Sequence, residues 1–110
     1  MRNFFYYMRD GENKPRVTVC LILDESEYRV VARGVAICSF KDQPIKSKGR
    51  NMAAGRARSA LMNKWENDSI TRWEADYVIE DTGCNFFYKS EYEPSLTDYE
   101  LVLLDKFLSN

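Results

Sequence analysis

Two connections too short to hold a crossover helix fix the first third of this chain as an antiparallel meander. Residues 16–23 alternate, with Val17, Val19, Leu21 and Leu23 on one face and Thr18, Cys20 and Ile22 on the other. That is the period of a strand. Both faces are largely apolar, which predicts a strand inside a sheet rather than at its edge. The turn cluster at 10–15, with Asp10, Gly11 and Pro15, joins it to an aromatic run at 3–9; the turn at 24–27 joins it to a run at 28–39. A parallel return needs about a dozen residues, so the three runs pair antiparallel. Gly34 interrupts the third run and marks either a bulge or a place where another backbone comes close.

The rest of the chain reads as helix, two strands and helix. Pro44 excludes residues 41–46 from a central strand, and Ile45 is placed to staple the helix that follows. That helix is expected over 47–64, because Ala53, Ala57, Ala60, Leu61 and Trp65 recur on one face. Gly55 inside it costs about 1 kcal/mol relative to alanine, so the helix is expected to lie against the sheet or against a second copy of itself. Residues 67–71 read as a polar turn, 72–80 as a strand, 81–85 as a hairpin-like turn and 86–92 as the last strand. Ser95 to Asp98 fits a capping box ahead of a helix over 96–108. That helix carries Leu96, Leu101, Val102, Leu103, Leu104, Phe107 and Leu108. This apolar surface is too wide for one partner, and a second subunit is one candidate to cover it. The expectation is one α+β domain over residues 1–110, an antiparallel sheet of about five strands with two helices in the order β-β-β-α-β-β-α.

Charge is sharply divided along the chain. Residues 29–64 hold nine Lys or Arg and one acid, whereas residues 65–110 hold three basic residues and eleven acidic ones. The basic block enters its helix through Ser39, Lys46, Ser47, Lys48, Gly49, Arg50 and Asn51. A helix start offers free N–H groups and the positive end of the dipole, glycine permits close approach, and arginine offers a planar fork for phosphate. These residues point to an anion site, with Arg33 and Arg56 adding charge. Neither a Walker sequence nor a Gly-x-Gly-x-x-Gly run is present. A solvated basic face, or a basic face meeting the acidic half of another protomer, accounts for the same pattern.

The aromatic residues Phe4, Phe5, Tyr6, Tyr7, Phe86, Phe87 and Tyr88 serve either as core or as platforms for a base. The 110-residue chain has no histidine, and no Asp, Glu, Lys or Cys stands in a general-base arrangement. A binding protein is expected rather than an enzyme, with no catalytic residue, metal or cofactor. Cys20, Cys38 and Cys84 are expected to be buried free thiols, although Cys38 lies beside the basic loop, where a thiolate would be favoured. No run approaches the ~20 apolar residues of a membrane helix and no secretion leader is evident, so a cytoplasmic location is expected.

Residues 33–44 followed by 48–57 resemble small proteins of phage and prophage genomes, and among these most resemble the anti-Thoeris sponge family of the first-described type. Members of that family bind cyclic ADP-ribose signals made by TIR-domain enzymes and hold them without cleavage. The resemblance implies a sheet flanked by helices, a homodimer able to assemble further, and a ligand pocket at subunit boundaries. Lys48, Gly49, Arg50 and Arg56 would be its basic positions. A cyclic ADP-ribose or cyclic-nucleotide signal, sequestered in the host cytoplasm, is therefore the expected partner. The alternatives are inhibition of a host defence protein by direct binding and direct binding of nucleic acid through the basic helix.

Overall fold

In the computed structural model, residues 1–65, 67–70 and 73–109 are described. The chain runs β1 (Arg2–Arg9), β2 (Pro15–Asp24), β3 (Arg29–Ile37), α1 (Lys46–Asn63), β4 (Asn67–Ser69), α2 (Trp73–Thr82), β5 (Tyr88–Tyr92) and α3 (Asp98–Leu108). The first three strands form the expected antiparallel meander, with Tyr6 opposite Val19 and Val19 opposite Val35. Beyond β3 the sheet continues through β5, also antiparallel, to the three-residue β4 at its edge, in the order β1-β2-β3-β5-β4.

The sheet is the middle of three layers because β2 is apolar on both faces. Val17, Val19, Leu21 and Leu23 pack with Val35 against Val78 and Cys84, and Leu96, Leu103 and Leu104 close the same core. Cys20, Ile22, Ala32 and Ala36 pack on the other side against Ala53, Ala57 and Ala60. Helix α1 therefore covers one face, and α2 and α3 cover the other.

The small residues of α1 set how close it lies. A Cβ on Gly34 would land on the carbonyl oxygen of Ala53 and the backbone nitrogen of Ala57, and one on Gly49 would collide with the Thr18 hydroxyl. Gly34 is thus a close-approach glycine, paired in register with Cys20 and Ser90. The register shift in this strand pair falls instead where Ile22 faces Ala32 and Leu23 faces Val30, leaving Val31 extra. Gly55 points the other way, and a Cβ there would have nothing within 4 Å. Its presence is not explained by the sheet.

Four expectations change. Residues 72–80 were expected as a strand; from Trp73 on they belong to helix α2, so there are three helices and the order is β-β-β-α-β-α-β-α. Ala75, Val78 and Ile79 lie at i, i+3 and i+4 and face the core, with Val78 fully buried, a helical period that outweighs the loose alternation. Residues 67–69, expected within a polar turn, pair with β5 instead; Thr71 and Arg72 of those segments lie outside the described residues. The capping box sits two residues later than expected. The Thr97 hydroxyl accepts from the Glu100 N–H at 3.1 Å, and the Glu100 carboxylate accepts from the Thr97 N–H at 2.9 Å. Finally, Trp65 does not continue the apolar face of α1, which ends close to where it was expected. Lys64 turns left-handed at φ 59°, and Trp65 is exposed rather than buried.

Candidate functional site

Helix α1 starts without the devices that normally satisfy a helix N-terminus. Ile45 at the N-cap is extended and makes no side-chain cap, and the first turn contains no acid. The Gly49 N–H is the first to reach a helical carbonyl, that of Ile45 at 3.0 Å. The N–H groups of Lys46, Ser47 and Lys48 make no backbone hydrogen bond among the described residues. Three orphan donors, the dipole and two lysines therefore share one turn, a locally unfavourable gathering of positive charge.

This turn opens on a cleft of about 440 Å³. Lys48, Gly49 and Met52 line it from α1, Gln43 and Pro44 from the preceding loop, and Cys38 from the end of β3. Its size falls within the range of small-molecule pockets. Beside it, Arg50 donates to the Tyr7 hydroxyl at 2.9 Å, and the Lys46 ammonium sits 4.9 Å from the centre of the Tyr7 ring. Tyr7 reaches this point because β1 lies next to β2, against which Gly49 packs. Among the described residues, none of Lys46, Lys48 and Arg50 makes an ion pair.

The loop that forms the cleft's outer wall is pinned by a residue that the sequence reading did not single out. Arg16 is buried, donates from Nε to Asp10 at 2.8 Å, and donates from Nη1 to the carbonyls of Ser39 and Asp42 at 2.8 and 3.0 Å. The signal in the sequence is a charged residue at the head of an otherwise apolar strand. Asp10 is held below the usual carboxylate range by the Lys14 N–H, the Arg16 guanidinium and the Glu12 N–H. The Cys38 thiol, half-buried beside this guanidinium, is pushed up by burial more than Arg16 lowers it. It is therefore a neutral thiol, not the thiolate that its basic surroundings would favour.

Of the expected site residues, Lys48 and Gly49 line the cleft, Lys46 and Arg50 meet at Tyr7 beside it, and three lie apart. Ser39 is in the loop, but its hydroxyl accepts from the Lys41 N–H at 3.1 Å and serves the local turn. Arg56 lies further along α1 and donates to the Val35 carbonyl at 2.6 Å, which ties the helix to β3 beyond the last β5 pairing. Arg33 is on the opposite face of the sheet and only 2 % exposed. It forms a two-pronged pair with Glu100, one prong at 2.9 Å, and also bonds Glu91 at 3.1 Å and the Ser95 carbonyl at 2.9 Å. Burial works to lower its pKa, but the hydrogen bonds and charge of Glu100 outweigh this and raise it. An arginine so enclosed is part of the fold, since a buried charge is tolerated only when paired.

The aromatic residues divide similarly. Phe4 packs edge-on against Phe107 at 4.0 Å, Phe86 lies 4.4 Å from the Arg33 guanidinium, and Tyr6 donates to Glu100 at 2.8 Å. Burial and the Glu100 carboxylate raise the Tyr6 pKa well above the phenol range. Tyr7, of the expected platforms, touches the cations Lys46 and Arg50 of α1. Among the described residues, no three His, Cys, Asp or Glu cluster as metal ligands, and no helix is long and apolar enough to cross a membrane. Comparison with protein-family models, curated proteins and solved structures gives no match for this chain.

Proposed function

We propose that the chain captures a phosphate-bearing small molecule at the start of α1 and holds it without chemistry. The observation that carries this reading is the pairing of an uncapped, acid-free helix start with an adjoining cleft of about 440 Å³. Phosphate would take the N–H groups of Lys46, Ser47 and Lys48, with the Lys48 ammonium and the Arg50 guanidinium at its flanks. The less polar part of the ligand would enter the cleft beside Met52 and Pro44, or stack on Tyr7. A cyclic ADP-ribose or related cyclic-nucleotide signal has this chemistry, two phosphates and a purine. The resemblance to the anti-Thoeris sponges makes sequestration of such a signal, in phage counter-defence, the specific form of the proposal.

Isothermal titration with cyclic ADP-ribose variants and with a DNA oligomer tests it. Sub-micromolar, saturable binding is expected, with intact ligand recovered after heating the protein. Arg50→Ala should lose at least ~1.5 kcal/mol of affinity, because a charged hydrogen bond is removed. Binding to DNA alone, falling steeply with salt, would replace this reading with polyanion binding. Binding to neither would leave a protein target as the alternative.

A further inference from the structure

The charge division of the sequence becomes a division between the two faces of the sheet. Helix α1 carries five basic residues and no acid; α2 and α3 carry seven acids and one base. Each face also exposes apolar side chains. On the α1 side these are Met52, Met62 and Trp65, at 49, 78 and 57 % exposure; on the α3 side they are Tyr99, Leu101 and Val102, at 56, 51 and 54 %.

Helical spacing places Lys48, Met52, Gly55, Arg58 and Met62 on the outward side of α1, opposite the buried Ala53, Ala57 and Ala60. Gly55 is the middle of that row, and open space lies above it. This is a notch in the helix crest, made with a residue that weakens the helix and that the sheet does not require. On α3 the outward crest is Asp98, Val102 and Asp105, opposite the buried Glu100. It is an apolar ridge between two carboxylates about 10 Å apart along the helix.

We propose that copies of this chain stack head to tail, with the Val102 ridge of one molecule seated in the Gly55 notch of the next. Asp98 and Asp105 then face Lys48 and Arg58, the bases on either side of the partner's notch, and the apolar residues of both helices are covered between them. The two surfaces lie on opposite sides of one sheet, so the contact is heterologous and repeats into a ring or an open stack. A nucleic acid would satisfy the bases of α1 but would leave α3 uncovered, whereas a second copy answers both faces. The contact shares Lys48 and Met52 with the ligand proposal, so a ligand bound there would compete with stacking, whereas Gly55 and Val102 belong to the stacking contact alone.

Sedimentation velocity of the full chain over a range of concentrations, with Gly55→Leu and Val102→Asp variants, tests it. The wild type should associate with rising concentration, and less so in 1 M salt, where the Debye length shrinks to about 3 Å. Gly55→Leu should remain monomeric while melting no lower than wild type, because leucine favours the helix. Val102→Asp, an exposed change, should also be monomeric, and a 1:1 mixture of the two should form dimers that grow no further, since each retains the face that the other lacks. A wild type that stays monomeric at every concentration, a variant that still dimerises alone, or a mixture that stays monomeric would overturn the proposal. So would association only upon addition of duplex DNA.

Discussion

Arg33 and the cations at the start of α1 lie on opposite sides of the sheet and are treated in opposite ways. Beneath α3, Arg33 is sealed at 2 % exposure, with Glu100, Glu91, the Ser95 carbonyl and the Phe86 ring around it. At the start of α1, Lys46, Lys48 and Arg50 crowd an uncapped dipole, and Lys46 and Arg50 contact Tyr7. Burial explains the first arrangement, since a desolvated charge without a counter-charge would cost several kcal/mol. Among the described residues the second has no such counter-charge. A basic residue is therefore a candidate for external binding here not because it is basic but because the fold has left it unneutralised.

The largest expected effect tests the enclosed side. Glu100→Ala leaves the Arg33 guanidinium buried and opposed only by Glu91, removes the Tyr6 acceptor and breaks the α3 capping box. It should lower stability by about 3 to 5 kcal/mol, read by urea denaturation; a loss below 1 kcal/mol would show that the cluster is not what docks α3. Next comes Gly34→Ala. Its methyl group would meet the α1 backbone at Ala53 and Ala57, which cannot rotate away, so about 3 kcal/mol of stability should be lost. An unchanged melting temperature would mean that α1 packs less closely than described.

On the open side the effects on stability should be small and of opposite sign. Gly55→Ala should stabilise the monomer by up to about 1 kcal/mol, because open space awaits the methyl group. Arg50→Ala should leave the melting temperature nearly unchanged, since only the bond to Tyr7 is lost. If Arg50→Ala destabilised the fold as much as Glu100→Ala does, the contrast between the two sides would fail. A separate effect concerns pH. The folded-state pKa of Asp10 lies below its unfolded value because the Lys14 N–H and Arg16 hold the ionised form. The stability it contributes is present above the unfolded pKa, about 4, and is lost as pH falls through the depressed value. Asp10→Asn should flatten the acid limb of the stability profile below about pH 4 and weaken the hold on loop 38–42.

Much of this was legible in the chain. The meander followed from alternation and connection length, and the small-residue face of α1 from Ala53, Ala57 and Ala60. The cation cluster at 46–50 followed from the local pattern of a helix start. What depended on distant partners was not legible. Arg33 reads as one more positive charge until Glu100, 67 residues away, folds against it. Arg16 looks like a strand terminus until Asp10 and loop 38–42 surround it. Residues 73–80 satisfy a loose period of two and a helical period at once, and only the core at Val78 decides between them. Gly34 and Gly55 have equal standing as glycines in a sequence, yet one touches a backbone and the other faces open space.

The most direct test of the central claim, that the cations left unneutralised at the start of α1 grip an anion, is a titration of the ¹⁵N-labelled protein with ADP-ribose followed by amide shifts. Saturable movement centred on the N–H groups of residues 46–50, absent from Glu91 and Glu100, is predicted. Shifts spread evenly along α1 that never saturate, or none at all, would contradict it.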